Sequence, residues 1–368
     1  MRFKNLVVIT LVLFISFAML FGSSSAVKAE DTFNWRMASC WPPSNLLVEG
    51  DKYFAKVVEE MSGGRLKIKV YPAPQIVTPD QVFDTVVKGA VECGGDWPGY
   101  WAGKNAGFEL IGSYPMGMTQ YDYVNWYSHY GGKELIQELY GKYDLHYMIN
   151  WVIPMQSGIR GNKPIKTIND YKGMKLRMSG RPQGYVLQKL GATQVLLSTG
   201  EVYQAIQLGT IDGGEVATPA IDWDLGFGEI TKYQSAPGWH EPSAAYGVMF
   251  NKKAWESLPD DLKRVVELAS QATMQHMSSF YEAIDIEAMK KFQAKGVELI
   301  QLDEESLKVI EGYINEYTEK RAEESEDFLK IAVSQFRYLK DIASVHEAEW
   351  PFGHGRTPWV YPDLPGLE

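Results

Sequence analysis

Residues 34–95 read NWRMASCWPPSNLLVEGDKYFAKVVEEMSGGRLKIKVYPAPQIVTPDQVFDTVVKGAVECGG, and their patterning decides the fold. The run 34–39 reads as a first buried strand. A helix is expected over 46–61, with Leu47, Tyr53, Phe54, Val57 and Val58 on one side and Ser62-Gly63-Gly64 as its stop. Residues 65–71, RLKIKVY, alternate polar and apolar at strand period. Thr78-Pro79 then opens a second helix, with Thr78 as cap and Pro79 at the first position. Residues 89–92 lead into a third strand that ends at Cys93-Gly94-Gly95. Strand, helix, strand, helix, strand is the signature of a parallel sheet covered by helices.

Outward from this unit the pattern resumes. Strands are expected at 145–152, 156–160, 175–178, 193–196 and 211–216, with helices at 182–190 and 200–208 between them. Residues 245–251, AYGVMFN, read as a strand returning to the first unit. From 259 to 340 the chain is mostly helical, with breaks near Gly296 and Asp303. Two α/β units joined by more than one crossing imply two lobes and a hinged cleft, with a ligand between them beyond the strand ends. The fold class is therefore α/β, two-lobed. The lobes are read as 31–152 with 250–295, and 153–249 with 296–330. Residues 331–368 form a C-terminal helix and tail.

Before the first strand, Arg2 and Lys4 precede an apolar run from Leu6 to Gly22, followed by small residues up to Ala29. With a membrane anchor as the alternative, that order reads as a cleavable export signal, residues 1–29. Its removal takes three basic and no acidic residues from a chain of 368 residues and net charge −10. So acidic a protein does not seek phosphate backbones, which excludes nucleic acid as a partner. With 11 Trp and 21 Tyr, the chain can line a cleft with rings. The cysteines, Cys40 and Cys93, read as two buried thiols or as one bridge between neighbouring strands in a 2-1-3 order.

The usual catalytic signatures are absent: no phosphate loop, no GxGxxG, no GxSxG, no HExxH and no CxxC. What stands out is a set of polar residues at apparent strand ends: Gln156, Arg177, Glu215, and Glu241 after Trp239-His240. An arginine fork suits a carboxylate. Glu215 beside Gln156 suits a hard cation. Each also reads as an ordinary surface ion pair, a satisfied core amide or a loop acid. The residues alone thus give an exported two-lobed protein that binds a small acid.

At these residues the sequence resembles the solute-binding proteins of tripartite ATP-independent periplasmic (TRAP) transporters. The resemblance is carried by Trp35-Arg36-Met37-Ala38-Ser39 with Trp41-Pro42-Pro43, by Asp170-Tyr171-Lys172-Gly173-Met174-Lys175-Leu176-Arg177, and by Gln204 through Gly213. It implies a receptor, not an enzyme, with a long helix spanning both lobes. Such a receptor closes on a small organic acid and delivers it to a membrane permease. It also places Arg177 on the carboxylate-binding arginine. Dicarboxylate and sialic acid receptors carry Gln-Glu-Asn-Pro after the Ile-Asp strand; here the run is Gly214-Glu215-Val216-Ala217-Thr218-Pro219. The resemblance therefore points to the branch that binds 2-oxo or 2-hydroxy monocarboxylates with a metal cation, Ca²⁺ or Na⁺, and no organic cofactor. In that branch Gln156, Glu215 and the Val216 carbonyl match the metal ligands, and Glu241 an acidic cleft residue. Trp97, Tyr100, Trp101 and Trp239 are candidates to cover the ligand. An aromatic carboxylate or a sulfonate is the alternative ligand, and an exported enzyme using Glu215 and Glu241 a remoter one. The branch includes dimers made through C-terminal helices, and the apolar stripe Phe328, Ile331, Phe336, Leu339 and Ile342 implies a homodimer.

Overall fold

The structure, a computed structural model, describes residues 31–350. The export signal read at 1–29 and the tail beyond Trp350 lie outside the described residues. Among the described residues the strands are, in chain order, β1 (Phe33–Ser39), β2 (Leu66–Tyr71), β3 (Cys93–Asp96), β4 (Leu145–Ile153), β5 (Ile159–Gly161), β6 (Lys175–Arg177), β7 (Thr193–Val195), β8 (Gly213–Gly214), β9 (Tyr233–Ala236), β10 (Ala244–Asn251) and β11 (Glu298–Gln301). They form two sheets, ordered β2-β1-β3-β10-β4 and β11-β9-β5-β8-β6-β7. In the first, β1, β2 and β3 are parallel and β10 runs antiparallel to β3 and β4. In the second, β6 is parallel to both β7 and β8, and β5 is antiparallel to β8 and β9.

Both faces of the first sheet are buried, as a helix-covered parallel sheet requires. Trp35 and Met37 of β1 face Phe54, Val57 and Val58 of the helix Val48–Met61. Ala38 faces the other way, toward Val82, Phe83 and Val86. This alternation excludes the cysteine bridge. The strand order is indeed 2-1-3, but Cys93 pairs in register with Met37, so Cys40 lies three residues further along and on the opposite face. Both thiols are free and buried, each in a different core cluster.

Other expectations shift. Gln156 and Ser157 precede β5 instead of opening it. Thr78 stands at a cap position, but its side chain makes no capping bond, and Pro79–Gln81 is a 3-10 turn before the helix Val82–Val87. Strands β9 and β11 escaped the sequence reading because each is four residues long and polar or mixed. β10 enters the first sheet at Ala244, ahead of the boundary read at 249/250, and Ile153 still belongs to that sheet.

The helix Asp260–Ala294 spans both lobes. On the first, Ser270 Oγ donates to the Ile149 carbonyl at 2.9 Å and the Tyr281 hydroxyl to the Leu46 carbonyl at 3.1 Å. On the second, Asp285 accepts the Ala220 amide at 2.8 Å. The helix Glu304–Glu324 packs on the second lobe against Arg181–Lys189, and Ser325 then breaks the chain into the helix Glu326–Glu349. That last helix does not protrude. Phe328 and Ile331 are buried against the first lobe, Phe336, Leu339 and Ile342 are half-buried on it, and the Tyr338 hydroxyl reaches Asp122. Most of the stripe expected to need a partner is covered by its own chain.

Candidate functional site

Two segments cross between the sheets beside the long helix: 154–158, from β4 to β5, and 237–243, from β9 to β10. They are tied together where the Gln156 amide donates to the Glu241 carbonyl at 3.1 Å. Gly238 lets them approach: a Cβ there would meet the Gln156 carbonyl oxygen at 2.2 Å. Gln156 and Glu241 thus sit in the hinge, not at the strand ends read from the sequence.

Arg177 and Glu215 do sit at strand ends. Arg177 closes β6, and its register partner Gly214 closes β8, so Glu215 emerges beside it. Gly213 is needed there, since a Cβ would stand 2.7 Å from the Arg160 carbonyl oxygen of β5. Arg177 Nη1 donates to Glu215 Oε1 at 2.8 Å and to the Glu215 carbonyl at 2.6 Å, and Nε donates to the Leu197 carbonyl at 3.2 Å. None of these bonds uses Nη2. Ser179, which the sequence reading passed over, donates its amide to Glu215 Oε1 at 2.7 Å. Its hydroxyl lies 3.0 Å from Glu215 Oε1 and 3.2 Å from Glu241 Oε1. Gln156 Nε2 donates to Glu241 Oε2, and Gln156 Oε1 lies 3.3 Å from His240 Nε2. The signal for Ser179 was its place two residues past the strand-ending arginine.

Four side chains from four chain segments therefore converge: Arg177, Glu215, Glu241 and Gln156, all buried. Burial works against the charge of Glu215, but Arg177 and the bonds from Ser179 outweigh it and hold the carboxyl below its usual range. Glu241 is pushed up to about 8, first by burial and then by the negative charge of Glu215. His240 is pushed down to about 4 by burial and stays neutral. Near neutral pH the pair of acids thus holds one charge and one proton.

From the first lobe, Tyr100 faces this group. It is 45% exposed, yet its hydroxyl is pushed up by burial, with Arg177, Glu241 and Glu215 also acting on it. Trp41 stands 6.0 Å from it, centroid to centroid, and meets Tyr246 edge-on at 5.6 Å. Trp97 meets Tyr100 edge-on at 5.2 Å, and the other candidate rings are engaged by neighbours. Trp101 is 2% exposed and donates to Asp96 at 2.5 Å, packing on Phe83. Trp97 is wedged against the backbones of Gly99 and Gly112. Trp239 is buried with its indole nitrogen 3.0 Å from the Tyr171 hydroxyl. Trp41 and Tyr246 were not singled out in the sequence.

The donor set fits a hard cation only in part by itself. Among the described residues no three His, Cys, Asp or Glu side chains are grouped to hold a metal. Glu215 Oε2, however, is a buried carboxylate oxygen without a hydrogen-bond partner, and no backbone hydrogen bond ends on the Val216 carbonyl. Such oxygens suit Ca²⁺ or Na⁺, with the remaining positions left to the oxygens of a bound acid.

A hinged two-lobed cleft with one arginine and a buried carboxylate pair defines a binding protein for a small anionic solute. The chain belongs to the bacterial extracellular solute-binding proteins of family 7, whose model matches residues 37–325. It is 30% identical to the monocarboxylate 2-oxoacid-binding periplasmic protein of Nostoc sp. over 320 residues, covering 87% of this chain and 88% of that one. A TRAP periplasmic solute-binding protein from Pseudoalteromonas atlantica, solved with bound sodium and pyruvate, is 30% identical with a TM-score of 0.80, covering 86% of this chain and 97% of that one. A TRAP solute-binding protein from Bordetella bronchiseptica is 28% identical with a TM-score of 0.81, covering 86% and 95%. It was solved as a mixed-occupancy dimer with copurified calcium and picolinate.

Proposed function

We propose that this chain is an exported TRAP receptor for a 2-oxo or 2-hydroxy monocarboxylate, bound with Ca²⁺ or Na⁺ and handed on to a membrane permease. The observation that carries the reading is the pairing of Arg177 with Glu215. Among the described residues no hydrogen bond uses Arg177 Nη2, and Glu215 Oε2 has no hydrogen-bond partner. An acid whose carboxylate meets Arg177, and whose carboxylate and α-oxygen meet a cation held by Glu215, Val216 and Gln156, satisfies both. In the described conformation Gln156 Oε1 is turned to His240, so that ligand requires the amide to reorient. Charge balance supports the scheme: Arg177 and Na⁺ offset Glu215 and the ligand carboxylate with Glu241 protonated, and Arg177 and Ca²⁺ offset all three carboxylates once Glu241 ionises. We place the protein in the periplasm after cleavage behind Ala29. No helix among the described residues is long and apolar enough to cross a membrane. Glu215 and Glu241 act as binding groups here, and the acid leaves unchanged.

The test is thermal denaturation of the mature protein after partial unfolding and dialysis. Pyruvate, lactate, a C4-dicarboxylate and picolinate are each added with Ca²⁺, with Na⁺ or with chelator. An acid at 100 times its Kd adds about 2.7 kcal/mol, which is several degrees. The expected result is a shift with pyruvate or lactate that chelator removes. An undiminished shift in chelator without sodium overturns the cation, and a shift with the dicarboxylate alone overturns the ligand class. The ring wall of Trp41, Tyr100 and Tyr246 favours a second reading, an aromatic carboxylate, for which picolinate gives the largest shift.

We also propose a homodimer. Its support is the end of the helix Glu326–Glu349, where Val345 is 44% and Trp350 81% exposed beside Tyr121. They border a groove of about 1470 Å³ against the long helix. A second copy of this helix is the occupant we assign. Sedimentation should give twice the mass of one chain, and a monomer at micromolar concentration overturns the assignment.

A further inference from the structure

Beneath the cation-facing atoms lies a buried ion pair that the scheme above does not use. Arg160 and Asp222 have fully buried side chains, and Arg160 Nε donates to Asp222 Oδ2 at 2.7 Å. Each partner also grips one of the two segments that carry the candidate cation ligands. Arg160 Nη2 donates to Ser157 Oγ at 3.2 Å, next to Gln156. Asp222 Oδ1 accepts the Ala217 amide at 3.3 Å, next to Val216. The segments are also joined directly, Ser157 amide to Ala217 carbonyl, at 3.0 Å. On the far side the guanidinium stacks on Phe292, 3.6 Å from the ring centroid, and Asp285 accepts the Ala220 amide at 2.8 Å. Both of those residues belong to the long helix.

A buried ion pair is a poor device for stability alone, because desolvation offsets most of its attraction and an apolar core often serves as well. What this pair supplies is a fixed distance between two loops. A cation with oxygen ligands needs that distance, since its bond lengths fall in a range of roughly 0.3 Å.

We propose that Arg160 and Asp222 are positioning residues that hold Gln156 and the 215–217 run at the separation a cation requires, braced by Phe292 and Asp285 of the long helix. The inference rests on the cation reading above. Removing either charge endangers folding, so the decisive variant is Ser157→Ala, which cuts the link from Arg160 to the Gln156 segment and leaves every charge in place. Calcium is titrated calorimetrically into the mature wild type and the variant with saturating pyruvate, and melting is measured in chelator. The expected result is a fall in calcium affinity of about 10-fold or more, typical of lost support behind a metal ligand, with unchanged melting in chelator. Phe292→Leu should lower the affinity in the same direction. Equal calcium affinity in wild type and Ser157→Ala overturns the positioning role alone, and so does lowered melting with unchanged affinity. A wild type that binds no calcium overturns the cation reading itself and this inference with it.

Discussion

Arg177→Ala is expected to abolish organic-acid binding. The side chain is buried, its Nη1 is committed to Glu215, and none of its hydrogen bonds among the described residues uses Nη2. Removing one partner of a buried, hydrogen-bonded charge pair costs about 2–5 kcal/mol, roughly a 30- to several-thousand-fold loss of affinity. The loss is compounded here, because Glu215 is left as an uncompensated buried charge beside an incoming anion. Burial already works against that charge, and without Arg177 the carboxyl rises toward protonation. Calorimetry with pyruvate at saturating calcium checks the expectation. An affinity within threefold of wild type would remove Arg177 from the site.

Glu215→Gln should have the second largest effect. The amide keeps the shape and can keep a bond from Ser179, but it removes the one carboxylate held ionised in the cleft. Calcium affinity is expected to fall on the order of 100-fold, in line with about 3 kcal/mol for a lost buried charge partner. Because linkage is reciprocal, pyruvate affinity measured with calcium present should fall with it. The variant's binding should also lose its response to chelator. Acid binding that stays tight and calcium-dependent would show that another group holds the cation.

The two hinge residues explain why part of this site could be read from the sequence and part could not. Arg177 ends one short strand and Glu215 follows another, both located by the pattern, and parallel neighbours end side by side, so their pairing follows from local structure. Gln156 and Glu241 lie in irregular crossings 85 residues apart. Nothing local states that one crossing lies against the other. Ser179 bridges the two acids only because both are present. Trp97, Trp101 and Trp239 were candidates by proximity in sequence to strand ends, but a ring's direction depends on what packs around it. Asp96 draws the Trp101 indole inward, which leaves Tyr100 of the same turn facing the cleft.

The alternation of strand and helix, the two-lobed α/β class and the long helical tract were determined by the sequence alone. All of these follow from periodicity, caps and residue chemistry over spans of a few turns. Tertiary structure decided which apolar faces were already covered. It laid Phe328 and Ile331 on the first lobe where the sequence left them needing a partner. It set Cys40 and Cys93 on opposite faces of one sheet, and it locked Arg160 and Asp222 together under the cation-facing loops. The physical reason is common to all three. A pattern of residues fixes which side of an element avoids water, whereas what it meets there depends on segments far away in the chain.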